Sequence, residues 1–289
     1  MFRKYKGELG LALTAFIWGS GFIGVSISLS GGLTPLQILT IRFFIGAILL
    51  GVIFFKEIKN NITKEAVIAG SMIGVFLFIA FVFQTIGISY TTASKNAFLT
   101  ALNVVMVPFI AFIICKKKIG VKGIIGAVMA VVGVGILSLE KNLTLGLGDA
   151  LTLICAVGFA FQIFFTSIYV KKYRATVLNF IQMLTAFVLS VISMFCFGET
   201  QFAVTTKGWI SVLYLGVVST TLCYLLQTAC QKHVDETKAA IILSMESVFG
   251  TLFSIIILHE QITLRMVIGC VIILAAVIIS NLAEVQEET

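Results

Sequence analysis

The sequence predicts an all-α membrane protein with ten transmembrane helices arranged as two inverted five-helix repeats. Three observations predict it. The 289 residues are 59% hydrophobic and only 11% charged, with a mean hydropathy of +1.11, whereas a soluble domain carries roughly 25% charged residues. Apolar runs recur ten times, each near the roughly 20 residues that span hydrocarbon as a helix. The chain also repeats itself, without a gap from residue 84 to 139 and again from 227 to 282. At an offset of 143, Gln84-Thr85 falls on Gln227-Thr228, Lys95 on Lys238, Ile119 on Ile262, Lys122 on Arg265 and Gly126 on Gly269. Toward the N-terminus the offset is 141, with Gly7-Glu8 on Gly148-Asp149 and Trp18-Gly19 on Phe159-Ala160. Five spans per copy, an odd number, turn one copy upside down relative to the other. The expected repeats are 7–139 (spans 1–5) and 148–282 (spans 6–10).

Span 1 (8–30) has a basic start, but its apolar core exceeds the 7–15 residues of a signal-peptide core and no A-x-A-like site follows, so it is expected to remain as a helix. Span 2 (34–54) opens with Pro35, where a first-turn proline is tolerated, whereas Pro108 is expected to loosen span 4 (92–114). Span 3 (66–88) holds Gly70-x-x-x-Gly74, a packing seam, and ends near Gln84. Asn96, Thr100 and Asn103 stack on one face of span 4. Span 5 covers 120–138, span 6 148–170, span 7 175–197 and span 8 208–230, with Cys223, Tyr224 and Gln227 near its end. Span 9 (236–258) carries Glu246, the only acid deep in any span, at the repeat position of Asn103. Ala239, Ser247, Gly250 and Ser254 form a narrow strip of small residues beside it. Span 10 covers 262–282.

The net charge of +7 reads as a topology signal. With the N-terminus inside, Arg3, Lys4, Lys6, Lys56, Lys59, Lys64, Lys116, Lys117, Lys118, Lys122, Lys171, Lys172, Arg174, Lys232 and Lys238 gather on the inner side, against Lys95, Lys141, Lys207 and Arg265 outside. That bias places both termini in the cytoplasm of a multi-pass protein of the cell membrane. Anionic inner-leaflet lipid is the partner expected for these lysines, and nucleic acid is not. The six cysteines, Cys115, Cys155, Cys196, Cys223, Cys230 and Cys270, form no C-x-x-C pair and read as small buried residues with free thiols. His233 and His259 fall on opposite sides, so neither a metal site nor any other cofactor is expected. The loops are too short for an enzymatic module.

Polar groups inside spans are expensive in lipid and are expected to face a cavity or a neighbouring helix. On span 1, Thr14, Trp18, Gly21, Val25 and Ser28 share a face that span 6 answers with Cys155, Phe159, Gln162, Thr166 and Tyr169. Gln84 is mirrored by Gln227. Bridging between helices is an equally compatible role for these two amides. An isolated midplane acid such as Glu246 points to function. Arg42 lies roughly 12 Å deep and Glu246 roughly 15 Å at 1.5 Å per residue. The two can therefore meet as a charge pair that couples transport to protons in one state of a cycle, and a permanent structural pair or an Arg42 bound only to carbonyls remains open beside that.

The residues Ser244-Met-Glu-Ser-Val-Phe-Gly, then Leu258-His-Glu-Gln-Ile-Thr and Gly269-Cys-Val-Ile-Ile-Leu, resemble the span 9–10 signature of EamA-type carriers in the drug/metabolite transporter superfamily. Trp18-Gly19-Ser20 is similar to that family's span 1 motif and Arg42 to its span 2 arginine. Two positions depart from the pattern. Ser247 stands in place of a proline, which predicts a straighter span 9, and His259 replaces a glycine before Glu260. The resemblance implies a ten-helix carrier with a central cavity lined by spans 1, 3, 4, 6, 8 and 9. On the residues alone, the expected substrate-binding set is Trp18, Gly21, Gln84, Asn96, Asn103, Phe159, Gln162, Tyr224, Gln227 and Glu246, with Glu246 and Arg42 as the coupling pair. One arginine in the spans is too few for a polyanion, and no phosphate-binding G-x-x-x-x-G-K-[ST] loop is present. The expected activity is secondary or facilitated movement of a small solute such as an amino acid or amine, most simply export. A multidrug exporter of lipophilic cations is the alternative, and a membrane sensor or enzyme a weaker one.

Overall fold

The computed structural model describes residues 6–116, 119–138, 145–234 and 242–281. Every described element is a helix. They are α1 (Lys6–Ser30), α2 (Pro35–Ile53), α3 (Phe55–Asn61), α4 (Lys64–Ile88), α5 (Ala93–Thr100), α6 (Asn103–Cys115), α7 (Val121–Ser138), α8 (Leu147–Tyr169), α9 (Ala175–Cys196), α10 (Thr206–Tyr214), a π-helical stretch Leu215–Leu222, α11 (Cys223–Gln231), α12 (Glu246–Leu258) and α13 (Leu264–Asn281). Among the described residues, seven helical segments are long and apolar enough to cross a membrane. Shorter apolar helices stand at Val121–Ile136, Ile242–Leu258 and Leu264–Ile279, where the sequence reading puts spans 5, 9 and 10. Lys238 and Ala239 lie outside the described residues, as do Arg3, Lys4, Lys117, Lys118 and Lys141.

Local chemistry sets the helix ends. Gly32, at φ 96°, turns the chain out of α1, a backbone region that glycine enters without steric penalty. Thr34 then caps α2: its hydroxyl accepts from the Gln37 amide, the Gln37 side chain accepts from the Thr34 amide, and Pro35 occupies the first turn. This reciprocal box satisfies two amide donors that the helix leaves open.

Span 4 is not loosened at Pro108. The α-helical ladder breaks six residues earlier, at Leu102, between α5 and α6, and Pro108 sits buried inside α6. The chain tightens there into three-residue bonds, Leu102 N to Leu99 O (3.2 Å) and Val105 N to Leu102 O (3.0 Å). The straighter span 9 expected from Ser247 is likewise corrected, because the ladder is interrupted at Met245 and α12 starts at Glu246. Ser247 takes over part of a proline's effect: its hydroxyl donates to Ser244 O at 2.8 Å, occupying a carbonyl of the preceding turn. His259, where the resembled pattern has a glycine, adopts the left-handed conformation at φ 54°, a region glycine enters without steric penalty. Span 8 is continuous but carries the π-helical stretch, in which the Thr221 hydroxyl donates to Gly216 O five residues back. Cys155, Cys223 and Cys270 are buried free thiols as expected, while Cys115 and Cys196 are exposed, against expectation. Both sit at the last residue of a helix, where the neighbouring helices no longer cover them.

Small residues set the closest helix approaches. A Cβ on Gly19 of α1 would lie 2.6 Å from Phe249 Cβ and 2.8 Å from the Gly250 amide of α12. One on Gly158 of α8 would lie 3.0 Å from Ala80 of α4, and Gly70 meets Ile181 of α9. α7 and α13 pack along each other through Ala130, Cys270, Ile273 and Val277. The largest apolar cluster joins α2, α4, α8, α9 and α11 through Phe43, Leu77, Phe81, Cys155, Met183 and Tyr224. In lipid such contacts, rather than water exclusion, bring helices together.

Candidate functional site

A cavity with about 520 Å³ of empty space, counting its open mouth, lies between α1, α2, α4, α5–α6, α8, the π-helical stretch, α11 and α12. Twelve of its wall residues form six pairs that the sequence repeat equates. Trp18 and Phe159, Gly21 and Gln162, and Phe22 and Ile163 are 141 apart, while Phe81 and Tyr224, Gln84 and Gln227, and Asn103 and Glu246 are 143 apart. Val25, Arg42, Thr100 and Ser219 complete the wall. One pair differs in charge: Asn103 of the first half faces the cavity where the second half places the acid Glu246, while Arg42 of the first half brings a positive charge to the same wall.

The broken helices place the central pair. α6 begins at Asn103 and α12 at Glu246, so both side chains enter the cavity from the first turn of a half-helix, the end at which the helix dipole favours negative charge. Glu246 is 8% exposed. Across the chamber, the Trp18 indole N–H donates to Ser219 O at 2.9 Å, and its ring lies 5.1 Å from that of Tyr224. The first contact fixes the aromatic wall to the π-helical stretch and the second to α11. Gln84 Nε2 donates to Thr100 Oγ1 at 3.3 Å, which sits 3.8 Å from Cys155 Sγ. Gln162 Nε2 reaches Thr166 Oγ1 (3.2 Å) and Gln182 Oε1 (3.4 Å).

Gln227 differs from its repeat partner. It is fully buried, and neither its amide oxygen nor its nitrogen has a hydrogen-bond partner among the described residues; Asn103 Oδ1 is in the same position. Buried polar atoms are normally satisfied, so these groups at a cavity wall are free to bind a solute or water.

Arg42 and Glu246 face the same cavity but make no ion pair with each other in this state. The Arg42 Nε donates to Thr220 Oγ1 at 2.8 Å and the guanidinium lies 4.1 Å from the centre of the Phe81 ring. A hydroxyl and an aromatic face hold the charge. Asn96 is not part of the wall. It is fully buried between helices, with Nδ2 donating to Thr152 Oγ1 (2.8 Å) and Gln84 O (3.2 Å). The other nine residues of the expected binding set all line the cavity.

Sequence reasoning missed Ser219 and Thr220, the anchors of Trp18 and Arg42, and a chain of amides leading out of the cavity. Gln182 Nε2 donates to Asn179 Oδ1, which also accepts from Thr228 Oγ1 at 3.3 Å. The available signal was the spacing of Asn179 and Gln182, three apart on one face and the only amide side chains of span 7.

The EamA-like transporter family model matches residues 5–139 and again residues 146–282. An uncharacterized transporter of Archaeoglobus fulgidus is 34% identical over 97% of this chain and 87% of its own length. The uncharacterized transporter YoaV of Bacillus subtilis is 21% identical over 96% of this chain and 97% of its own. A crystal structure superposes with a TM-score of 0.72 at 15% identity, covering 99% of this chain and 100% of the other, which establishes likeness of fold. The two family matches fall on the two halves that supply the paired cavity walls. This chain is a multi-pass membrane protein and belongs to the EamA-like transporter family.

Proposed function

We propose that this protein is a secondary or facilitative carrier that exports small metabolites, amino acids or related amines, across the cell membrane by alternating access. In this reading, 7–139 and 148–282 are two inverted five-helix repeats, ten spans in all, with both termini cytoplasmic. They rock against each other around the paired cavity. The protein makes and breaks no covalent bond in its cargo.

The observation that carries the proposal is the acid Glu246, which makes no ion pair among the described residues, in a chamber where the Gln227 amide and the Asn103 carbonyl have no hydrogen-bond partner among those residues either. A carboxylate and free carbonyl oxygens are acceptors, so they suit a solute that presents N–H donors or a positive charge. The aromatic wall of Trp18, Phe81, Phe159 and Tyr224 supports the second reading, a lipophilic cation.

A thermal-shift screen of the purified protein separates the two. Amino acids or primary amines should raise the melting temperature of the native protein and fail to do so for Glu246→Gln. Stabilisation by tetraphenylphosphonium alone would favour the multidrug reading, and stabilisation by neither class would overturn both. Tags at residues 1 and 289 should be cytoplasmic and one near Asn142 external. Termini on opposite sides would refute the ten-span arrangement.

A further inference from the structure

We propose that three carboxylates of the second half, Asp149, Glu199 and Glu260, are the gate residues that hold the cavity shut on the side opposite the termini. The inference rests on the alternating-access reading and adds to it which contacts must break for the carrier to open outward.

The observations concern one rim of the molecule. It is formed by the α1–α2 turn, the α4–α5 turn, the start of α8, the α9–α10 loop and the α12–α13 turn. Each acid there bonds across to the first half. Asp149, 3% exposed, accepts from the Thr91 hydroxyl at 2.5 Å and pairs with Lys95 Nζ at 3.4 Å. Glu260 Oε2 accepts from both the amide (3.3 Å) and the hydroxyl (2.9 Å) of Ser94, in the first turn of α5, and from the Ser254 hydroxyl of α12. Glu199 Oε2 accepts from the Leu36 amide at 3.1 Å, in the first turn of α2, while Gln37 Nε2 donates to the carbonyls of Glu199 (3.0 Å) and Gln201 (2.8 Å).

The choice of partners is what makes these contacts a gate. Glu199 and Glu260 satisfy amide donors at helix N-termini, where a carboxylate is stabilised by both hydrogen bonding and the helix dipole. Those helices, α2 and α5, run down to Arg42 and, through α6, to Asn103. Each bond therefore ties a cavity-lining helix of one half to the other half.

The backbones meet here as well. A Cβ on Gly148 would lie 2.6 Å from the Tyr90 carbonyl carbon, and one on Gly31 would lie 2.6 Å from Gly208 Cα. The Thr205 amide donates to Gly31 O at 2.9 Å. No cargo passes between chains in backbone contact, so this rim must part for release. The opposite rim carries the solvent-exposed pair Arg174–Glu57, with side chains 62% and 32% exposed. At Gly7 and Gly10, the approach to the second half is led by the side chains of Val234 and Cys230, which can turn aside.

The test needs no known cargo. A single cysteine is placed at Val25, on the cavity wall toward this rim, in full-length protein whose six native cysteines are replaced. Its labelling by a membrane-impermeant maleimide is timed from outside in intact cells and from inside in inverted vesicles. Asp149→Asn, Glu199→Gln, Glu260→Gln and Lys95→Met should each raise the external rate about tenfold, the share of closure that hydrogen bonds to charged groups supply. The internal rate should fall in the same variants. A rise from both sides would mean general loosening and would overturn the gate, as would external rates unchanged in all four. Val25→Cys labelled from inside at unchanged rates in every variant would sink the gate and leave alternating access standing. A cysteine that no reagent reaches from either side in any variant would overturn both.

Discussion

Arg42→Met separates a residue kept for function from one kept for stability. Arg42 is 2% exposed and has no carboxylate partner among the described residues in this state. Removing a guanidinium from water costs several kcal/mol even after relaxation. Two contacts offset this. The Phe81 ring, 4.1 Å from the guanidinium carbon, contributes about 2 kcal/mol when desolvated. The bond to Thr220 at 2.8 Å contributes about 1.5–3 kcal/mol as a hydrogen bond to a charge. Gain and loss nearly cancel. Methionine fills much of the same volume without the desolvation term, so Arg42→Met should leave stability within about 1 kcal/mol of native or raise it. Thr220→Val keeps the volume but strands the buried charge, and should lower stability by about 1–3 kcal/mol; combined with Arg42→Met it should cost little. Thermal unfolding in detergent, followed by tryptophan fluorescence, measures the native protein, the two single variants and the double variant. An Arg42→Met protein that melts below Thr220→Val would refute the reasoning and make Arg42 a structural strut.

The remaining predictions use the same material. Glu246→Gln should abolish pH-gradient-driven transport while counterflow exchange of cargo stays measurable; a full response to the gradient would remove Glu246 from the coupling step. Gly19→Ala would push a methyl group against Phe249 and the Gly250 backbone, forcing α1 and α12 apart at about 1–3 kcal/mol, and an unchanged melting temperature would show that they are not so close. Asn96→Leu should destabilise by about 1–3 kcal/mol, because it breaks two buried bonds, and should leave cargo affinity intact. Gln227→Leu should do the reverse, weakening cargo binding at equal or higher stability, since its amide is already unsatisfied. If the two variants behave alike in both assays, the distinction between bridge and binding group fails.

Much of this was legible before any coordinates. Hydropathy located the helices because lipid leaves few alternatives to an apolar helix. Six pairs of wall residues stand at the two repeat offsets, equivalent positions in two matching halves that face one cavity. Hydrogen-bond register was not legible. The π-helical stretch 215–222 differs from an α-helix by which carbonyl each amide chooses, and Gly216 and Thr221 look ordinary in composition. The break before Glu246 was masked because Ser247 reaches by a side-chain bond part of what proline does by lacking an amide. Asn96 and Asn103 share a face by spacing, yet the break at Leu102 rotates one relative to the other. Helical periodicity extrapolates only across an unbroken ladder.

Lys116 and His259 have a use beyond ending their helices. They are the described non-glycine residues with positive φ, 57° and 54°, and they stand 143 positions apart. Left-handed backbone costs a residue with a Cβ roughly 1 kcal/mol or more, and here the same penalty falls at both equivalent sites. Lys116→Gly and His259→Gly therefore relieve the same kind of backbone term, and a difference between them reports the side chain removed and its surroundings. The chain contains its own matched control, so detergent, lipid and expression level drop out of the comparison whenever a substitution and its counterpart are measured as a pair.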